Sequence, residues 1–273
     1  MVAFAGNSVI CRMALTGDAI DPASFTSVRI AAGAVALLVI LALKSRAWPA
    51  RGHGSWMSAL TLFLYAVFFS YAYLSLSAGT GALILFGFVQ GTMIVMALIS
   101  GDRPNVAEWL GWAMASAGLV WLLLPGIESP SPVGAAFMAI AGVAWGVYSI
   151  RGRHETDALA ATTNNFVLSL AFVVVLTAFT FRQATLSGTG VLLACISGAL
   201  TSGVGYVVWY AALNYMSAMQ AALVQLSVPA IAAAGGVLLL AEIVTVRLFV
   251  SATLILGGIS LAIVRRSQRA EAA

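Results

Sequence analysis

Few side chains in this sequence could do chemistry, and they are polar groups set singly inside long apolar runs. Asn7, Gln90 and Gln225 each sit within such a run, and Arg12 is the one cation that does. Ser227 and Pro229 follow Gln225 closely, and Trp145 and Tyr148 share a further run. An amide in the middle of a run can hydrogen-bond a solute or bridge two helices, and neither task needs a base. All nine acidic residues fall in connections, at run edges or in the C-terminal tail. No carboxylate therefore sits where burial would lift its pKa far enough to trade protons with a bound cation. That disfavours proton antiport of cationic drugs. Both histidines, His53 and His154, also lie in connections, and no nucleophile stands beside a base, which argues against an enzyme. Cys11 and Cys195 are far apart in apolar runs without metal-ligand spacing. Neither a metal, a cofactor nor a disulfide framework is expected.

The elements that hold these groups follow from composition. Of 273 residues, 62% are hydrophobic and 8% charged, against about 25% charged in soluble proteins. The class is an all-α polytopic membrane protein in a lipid bilayer. Ten spans are expected, near 2–16, 25–44, 56–78, 80–99, 106–125, 132–151, 161–181, 189–213, 217–240 and 245–265. The first is short: about 15 residues rise only about 22 Å, less than the roughly 30 Å hydrocarbon core. That helix either lacks its true start or begins inside the bilayer, and no cleavable signal peptide is expected. In the ninth, Pro229 removes the amide that would bond the Gln225 carbonyl, a break tolerated only against protein or a watery cavity. The net charge of +4 comes from basic residues between spans, so nucleic acid is not an expected partner. Nine Lys and Arg follow even-numbered spans and two follow odd-numbered ones. The positive-inside rule then puts both termini in the cytoplasm and Glu242 outside.

Individual residues carry alternatives. Arg12 must face a cavity, pair with a neighbour, or reach the interface, since arginine in lipid is costly. Arg29, with Asp18 and Asp21 close in sequence, is expected to form a structural ion pair. Tyr206, Trp209 and Tyr210 fit an interfacial aromatic belt, whereas Trp145 is too central for one. Asn164 and Asn165 suit interhelical hydrogen bonds. Gln90, at the centre of its span, is a candidate for contact with a solute. Sliding the chain by 139 residues lays Tyr71-Ala72-x-Leu74 on Tyr210-Ala211-x-Leu213 and Gly118 on Gly257. The same offset puts Gln90 on Pro229, and one further residue puts Asp102 on Glu242. Two five-span units, 1–126 and 127–273, emerge. An odd number of spans inverts the second unit, as in secondary transporters.

These features resemble the drug/metabolite transporter superfamily, and within it the EamA-type carriers. Pro229 and Glu242 in PAIAAAGGVLLLAE match the signature of the second unit. The first unit departs, with Gln90 in place of proline and Asp102 one place early. Ala5-Gly6-Asn7-Ser8 resembles the family's first-helix motif without its tryptophan, which Trp145-Gly146 keeps in the second unit. Arg29 matches an arginine often found at the start of the second helix. The resemblance implies ten helices in two inverted repeats, working by alternating access in a bacterial inner membrane. It implies a cavity lined by the first, third, fourth, sixth, eighth and ninth helices, which points to Asn7, Gln90, Trp145, Tyr148, Gln225 and Ser227, with Pro229 shaping its helix. Arg12, Arg29, Asp102 and Glu242 are structural or gating candidates. The implied function is export of amino acids, their derivatives or other small metabolites, with a neutral, aromatic-walled cavity suiting a zwitterion or neutral solute. A permease importing a nucleobase, vitamin or sugar-like solute remains open, as does a non-transporting scaffold; monomer and homodimer are both compatible.

Overall fold

The computed structural model describes residues 1–45, 53–99, 101, 106–126, 129–152, 155–213 and 224–272. Asp102, His154 and the first seven residues of the expected ninth span lie outside them. The described chain is helical, without strands, and carries a single antiparallel bridge between Ile20 and Leu186. The helices are α1 Val2–Thr16, α2 Pro22–Ser45, α3 Trp56–Ala72, α4 Ala78–Ile99, α5 Val106–Leu123, α6 Pro132–Gly152 and α7 Ala158–Thr180. Next come α8, which runs Gly188–Ile196 and Gly205–Leu213 on either side of a π-helical stretch Ser197–Val204, then α9 Ser227–Leu240 and α10 Val246–Ala272. By length and composition, six of these (α2, α4, α5, α6, α7 and α8) can cross a membrane, and α1, α3, α9 and Val246–Ala262 are shorter apolar helices.

The boundaries have local causes. Proline opens α2 and α6 at the first helical position, where its missing N–H is not needed. The side chains of Ser55, Asp157 and Ser187 cap α3, α7 and α8 by accepting from backbone amides two or three residues on. The third span ends at Ala72 rather than 78, and this leaves the carbonyls of Tyr73 and Leu74 free to accept from Arg12. The expected placement of Pro229 in the middle of its helix is corrected. The chain turns at Leu226, and Pro229 falls in the first turn of the new helix α9, where it costs no hydrogen bond.

In the packing, α10 lies on α5, α7 on α2, and α9 on α4; α3 lies on α6 and α1 on α8, while α6 also packs on α4 and α9 on α1. Small residues make these contacts close. A side-chain carbon on Gly111 would strike the Gly258 carbonyl, and one on Gly258 would strike that of Gly111, so α5 and α10 cross backbone to backbone.

The α1–α2 and α7–α8 turns are strapped together. Asp21 Oδ1 accepts from the amides of Ala23 and Ser24 at 3.1 and 3.0 Å, capping α2, while Oδ2 accepts from Thr185 N at 2.9 Å. Burial pushes this carboxyl up, but hydrogen bonds from Ser24, Thr185 and Ala23 outweigh it and hold the group below its usual pKa. A depressed folded-state pKa contributes stability above the unfolded value and loses it as pH falls through the folded value. Asp21→Ala is expected to cost about 1 kcal/mol at neutral pH, lowering Tm by about 3 °C. That gap should shrink as the pH is lowered below the ordinary carboxylate range. A pH-independent gap in thermal unfolding of the two proteins would contradict the assignment.

Candidate functional site

The residues of α1 at positions 4, 7, 8 and 11 share one buried face, as a helical period requires. Asn7 stands at its centre. Its Oδ1 accepts from the hydroxyls of Ser197 and Thr201 on the π-helical stretch of α8, and its Nδ2 donates to the Tyr65 hydroxyl of α3 at 3.3 Å. The π-helical stretch sets Ser197, Thr201 and Ser202 against α1 and α2, a use typical of such distortions near functional sites. Gly198 allows the approach, because it lies directly on the Arg29 carbonyl of α2.

Arg29 completes the network. It is 2% exposed. Its Nε donates to Ser202 Oγ and its Nη2 to the Tyr65 hydroxyl, both at 3.2 Å. The guanidinium lies over the rings of Tyr65 and Phe69, 5.2 and 5.1 Å from their centroids, a favourable arrangement for a buried cation. Nη1 has no hydrogen-bond partner among the described residues. The expected ion pair with Asp21 or Asp18 does not form: Asp21 is committed to capping α2 and binding Thr185.

Beside this network lies a cavity of about 10 Å³ lined by Phe4, Asn7, Tyr65, Phe69, Leu85, Phe86, Trp145 and Tyr206. It has room for about one water, so a metabolite needs the walls to part. The aromatic walls interlock. Trp145 lies 4.9 Å from both Tyr65 and Tyr206, and Phe4 meets Trp145, Tyr206 and Trp209 edge-on. Tyr206 and Trp209 are buried against α1, so the aromatic-belt expectation for them is corrected; α8 faces protein here, not lipid headgroups.

Both ends of the bundle are tied across helices. At one end, Arg12 Nε meets Glu242 Oε1 at 3.3 Å, and Nη1 donates to the carbonyls of Tyr73 and Leu74 at 2.8 and 3.1 Å. Glu242 in turn accepts from Ala78 N with both oxygens, at the start of α4, where the helix dipole favours an anion. Ala241 adopts φ 51°, a left-handed geometry unusual outside glycine, and this turns Glu242 back over Gly236, where no side chain would fit. Of the three options for Arg12, pairing with a neighbour is the one observed. At the other end, Arg151 of α6 donates to Ser58 and Ser55 of the α3 start, at 3.1 and 3.2 Å. There Asn165 accepts from Ser55 N, and Asn164 donates to His53 O.

Of the expected cavity residues, Asn7 and Trp145 line the cavity. Tyr148 is buried 5.5 Å from Trp145, in the row behind it. Gln90 is buried one turn beyond Phe86 on α4, and its Nε2 has no partner among the described residues. Gln225 is buried beside the break at Leu226, and Pro229 is buried in the first turn of α9. Ser227 is not brought into the cluster: it is exposed and donates to Val224 O. Tyr65, Phe4 and Ser202 were not singled out by sequence. A tyrosine at the middle of the third span was the available signal, since interfacial tyrosines sit at span ends.

Comparison with known proteins adds the following. The sequence profile of the EamA-like transporter family matches residues 132–264. A Pseudomonas aeruginosa protein described as uncharacterized is 48% identical over 271 residues, spanning 99% of this chain and 94% of that protein. YoaV of Bacillus subtilis, described as an uncharacterized transporter, is 22% identical over 254 residues, spanning 88% of this chain and 86% of its own. A known crystal structure aligns with TM-score 0.64 over 97% of this chain and 96% of that chain, at 19% identity, a likeness of fold alone.

Proposed function

Because the chain belongs to the EamA-like transporter family, we propose that it is a secondary carrier of the bacterial inner membrane that exports small metabolites, such as amino acids or their derivatives, by alternating access. Family membership makes it a membrane transporter of small molecules; direction, solute and mechanism are our reading. The carrying observation is the buried cavity, which gathers side chains from α1, α3, α4, α6 and α8 and joins polar groups to aromatic walls.

The helix packing supports two inverted five-helix repeats, 1–126 and 127–273. Exchanging each helix with the one five places along leaves the pairs described above unchanged: α1 on α8 becomes α6 on α3, and α4 on α6 becomes α9 on α1. The pairs α2 with α7, α4 with α9 and α5 with α10 map onto themselves. Such an arrangement suits rocking of one repeat against the other around a central site. With both termini in the cytoplasm, the Arg12–Glu242 tie closes the outer end and Arg151 with Ser55 and Ser58 closes the inner end. The conformation is then an occluded one, in keeping with the small cavity.

Counterflow in proteoliposomes tests this. Vesicles loaded with unlabelled amino acids should accumulate the labelled solute through the wild-type protein. Trp145→Ala, which removes the central wall, should cut the rate about tenfold by loss of roughly 1.4 kcal/mol of solute contact. Rates equal to those of protein-free vesicles across amino acids, organic acids, sugars and nucleobases would overturn the reading.

A further inference from the structure

The polar network beside the cavity leaves buried donors unpartnered and holds no carboxylate among the described residues, and we propose that it seats a carboxylate of the transported solute. The solutes are then small organic carboxylates with an apolar body. This inference rests on the carrier reading above and names the substrate class of that cavity.

The asymmetry can be counted atom by atom. Asn7 Oδ1 is occupied by the hydroxyls of Ser197 and Thr201. The Tyr65 oxygen accepts from both Asn7 Nδ2 and Arg29 Nη2, so its own O–H is left to donate. Arg29 Nη1 and Gln90 Nε2 are buried donors without partners among the described residues, and the Tyr206 hydroxyl on the cavity wall, unpartnered as well, can donate or accept. Arg29 also lacks a carboxylate partner among them, and its nearest polar neighbours are hydroxyls. A buried guanidinium with a free N–H edge is costly unless an anion reaches it. A cationic solute would find ring faces here but no carboxylate, whereas a carboxylate would find a charged fork and a hydroxyl donor.

Geometry sets the rest of the solute. The guanidinium lies over Tyr65 and Phe69, two of the cavity walls, so parting these rings as the cavity opens delivers a solute to Nη1. A carboxylate there bonds Arg29 and the Tyr65 hydroxyl together, the planar recognition for which arginine is suited. The body of the solute then faces Leu85, Phe86, Trp145 and Tyr206, an apolar and aromatic surface. This departs from the neutral cavity expected from sequence.

Matched probes make the test: phenylacetate and L-phenylalanine against their amides, phenylacetamide and L-phenylalaninamide. With the purified full-length protein, each carboxylate at about 10 mM should raise Tm by about 3 °C, and neither amide should. The rise should vanish in Arg29→Met and at least halve in Tyr65→Phe, which removes the free donor together with the oxygen that accepts from Asn7 Nδ2 and Arg29 Nη2. Should Arg29→Met fail to fold, Tyr65→Phe decides: an undiminished carboxylate effect overturns the proposal. Equal effects of acids and amides, or no effect of either acid, also overturn it. Counterflow separates the two readings. Transport of neutral or cationic solutes in preference to carboxylates sinks the carboxylate seat and leaves the carrier. Absence of all transport sinks the carrier itself.

Discussion

Replacing Arg12 with alanine is expected to leave the protein folded, to expose Cys11 to a membrane-impermeant thiol reagent, and to slow transport about thirtyfold. The guanidinium ties three places at once: Glu242 after α9, the carbonyls that end α3, and, through Glu242, the first turn of α4. The pair is partly covered, with 20% and 15% side-chain exposure, so solvent screens it less than a surface pair. Hydrogen bonds to a charged group contribute roughly 1.5–3 kcal/mol each. A net loss of about 2 kcal/mol, after discounting for partial exposure, shifts a two-state equilibrium about thirtyfold. Cys11 is fully buried and adjacent to Arg12 on α1, so it reports opening at this end once Cys195 has been replaced by serine. Exchanging the charges, Arg12→Glu with Glu242→Arg, should not rescue the loss. Glutamate cannot donate to the Tyr73 and Leu74 carbonyls, and arginine would face the positive end of the α4 dipole. Unchanged protection of Cys11 together with unchanged transport would show that the tie is not a gate.

The all-helical class and a break near Pro229 were legible because they depend on local rules, namely apolar length, capping residues and the missing amide of proline. The first-helix boundaries 2–16 coincide with α1 for this reason. The site was legible only in part. Asn7 and Trp145 stand out as polar or amphipathic groups within apolar runs. The partners of Arg29 do not, because Tyr65 and Ser202 lie 36 and 173 residues away. Sequence proximity suggested Asp21 instead, but that carboxylate sits at a helix start, where capping α2 claims it. Tyr206 and Trp209 misled for a related reason. The belt rule treats a helix as facing lipid, whereas this part of α8 packs on α1. The π-helical stretch had no local signature beyond its small and hydroxylated residues, SGALTSGV, since the widening answers to its neighbours α1 and α2.

Gly198→Val is expected to be the most damaging single change at this crossing, lowering Tm by about 10 °C. A side-chain carbon at position 198 would overlap the Arg29 carbonyl. That oxygen belongs to the hydrogen-bonded backbone of α2 and cannot rotate away as a side chain would. From the other side, a carbon on Gly33 would press on the Gly198 carbonyl and the Phe166 ring, so neither helix can slide to make room. The helices must separate, and the contacts between Arg29 and Ser202 and between Asn7 and Ser197 stretch with them. Overpacking costs about 1–3 kcal/mol and each lost hydrogen bond about 1 kcal/mol, for a total near 4 kcal/mol. At about 2–4 °C per kcal/mol for a chain of this size, that is roughly 10 °C. Gly188 supplies the control within the same helix, because nothing lies within 4 Å of a carbon placed there. Gly188→Ala should hold or raise Tm by about 1 °C, since alanine loses less backbone freedom on folding than glycine does. The opposite signs at 188 and 198 distinguish the crossing from any general intolerance of α8. A Gly198→Val protein that melted within about 1 °C of wild type would mean that α2 and α8 do not meet backbone to backbone.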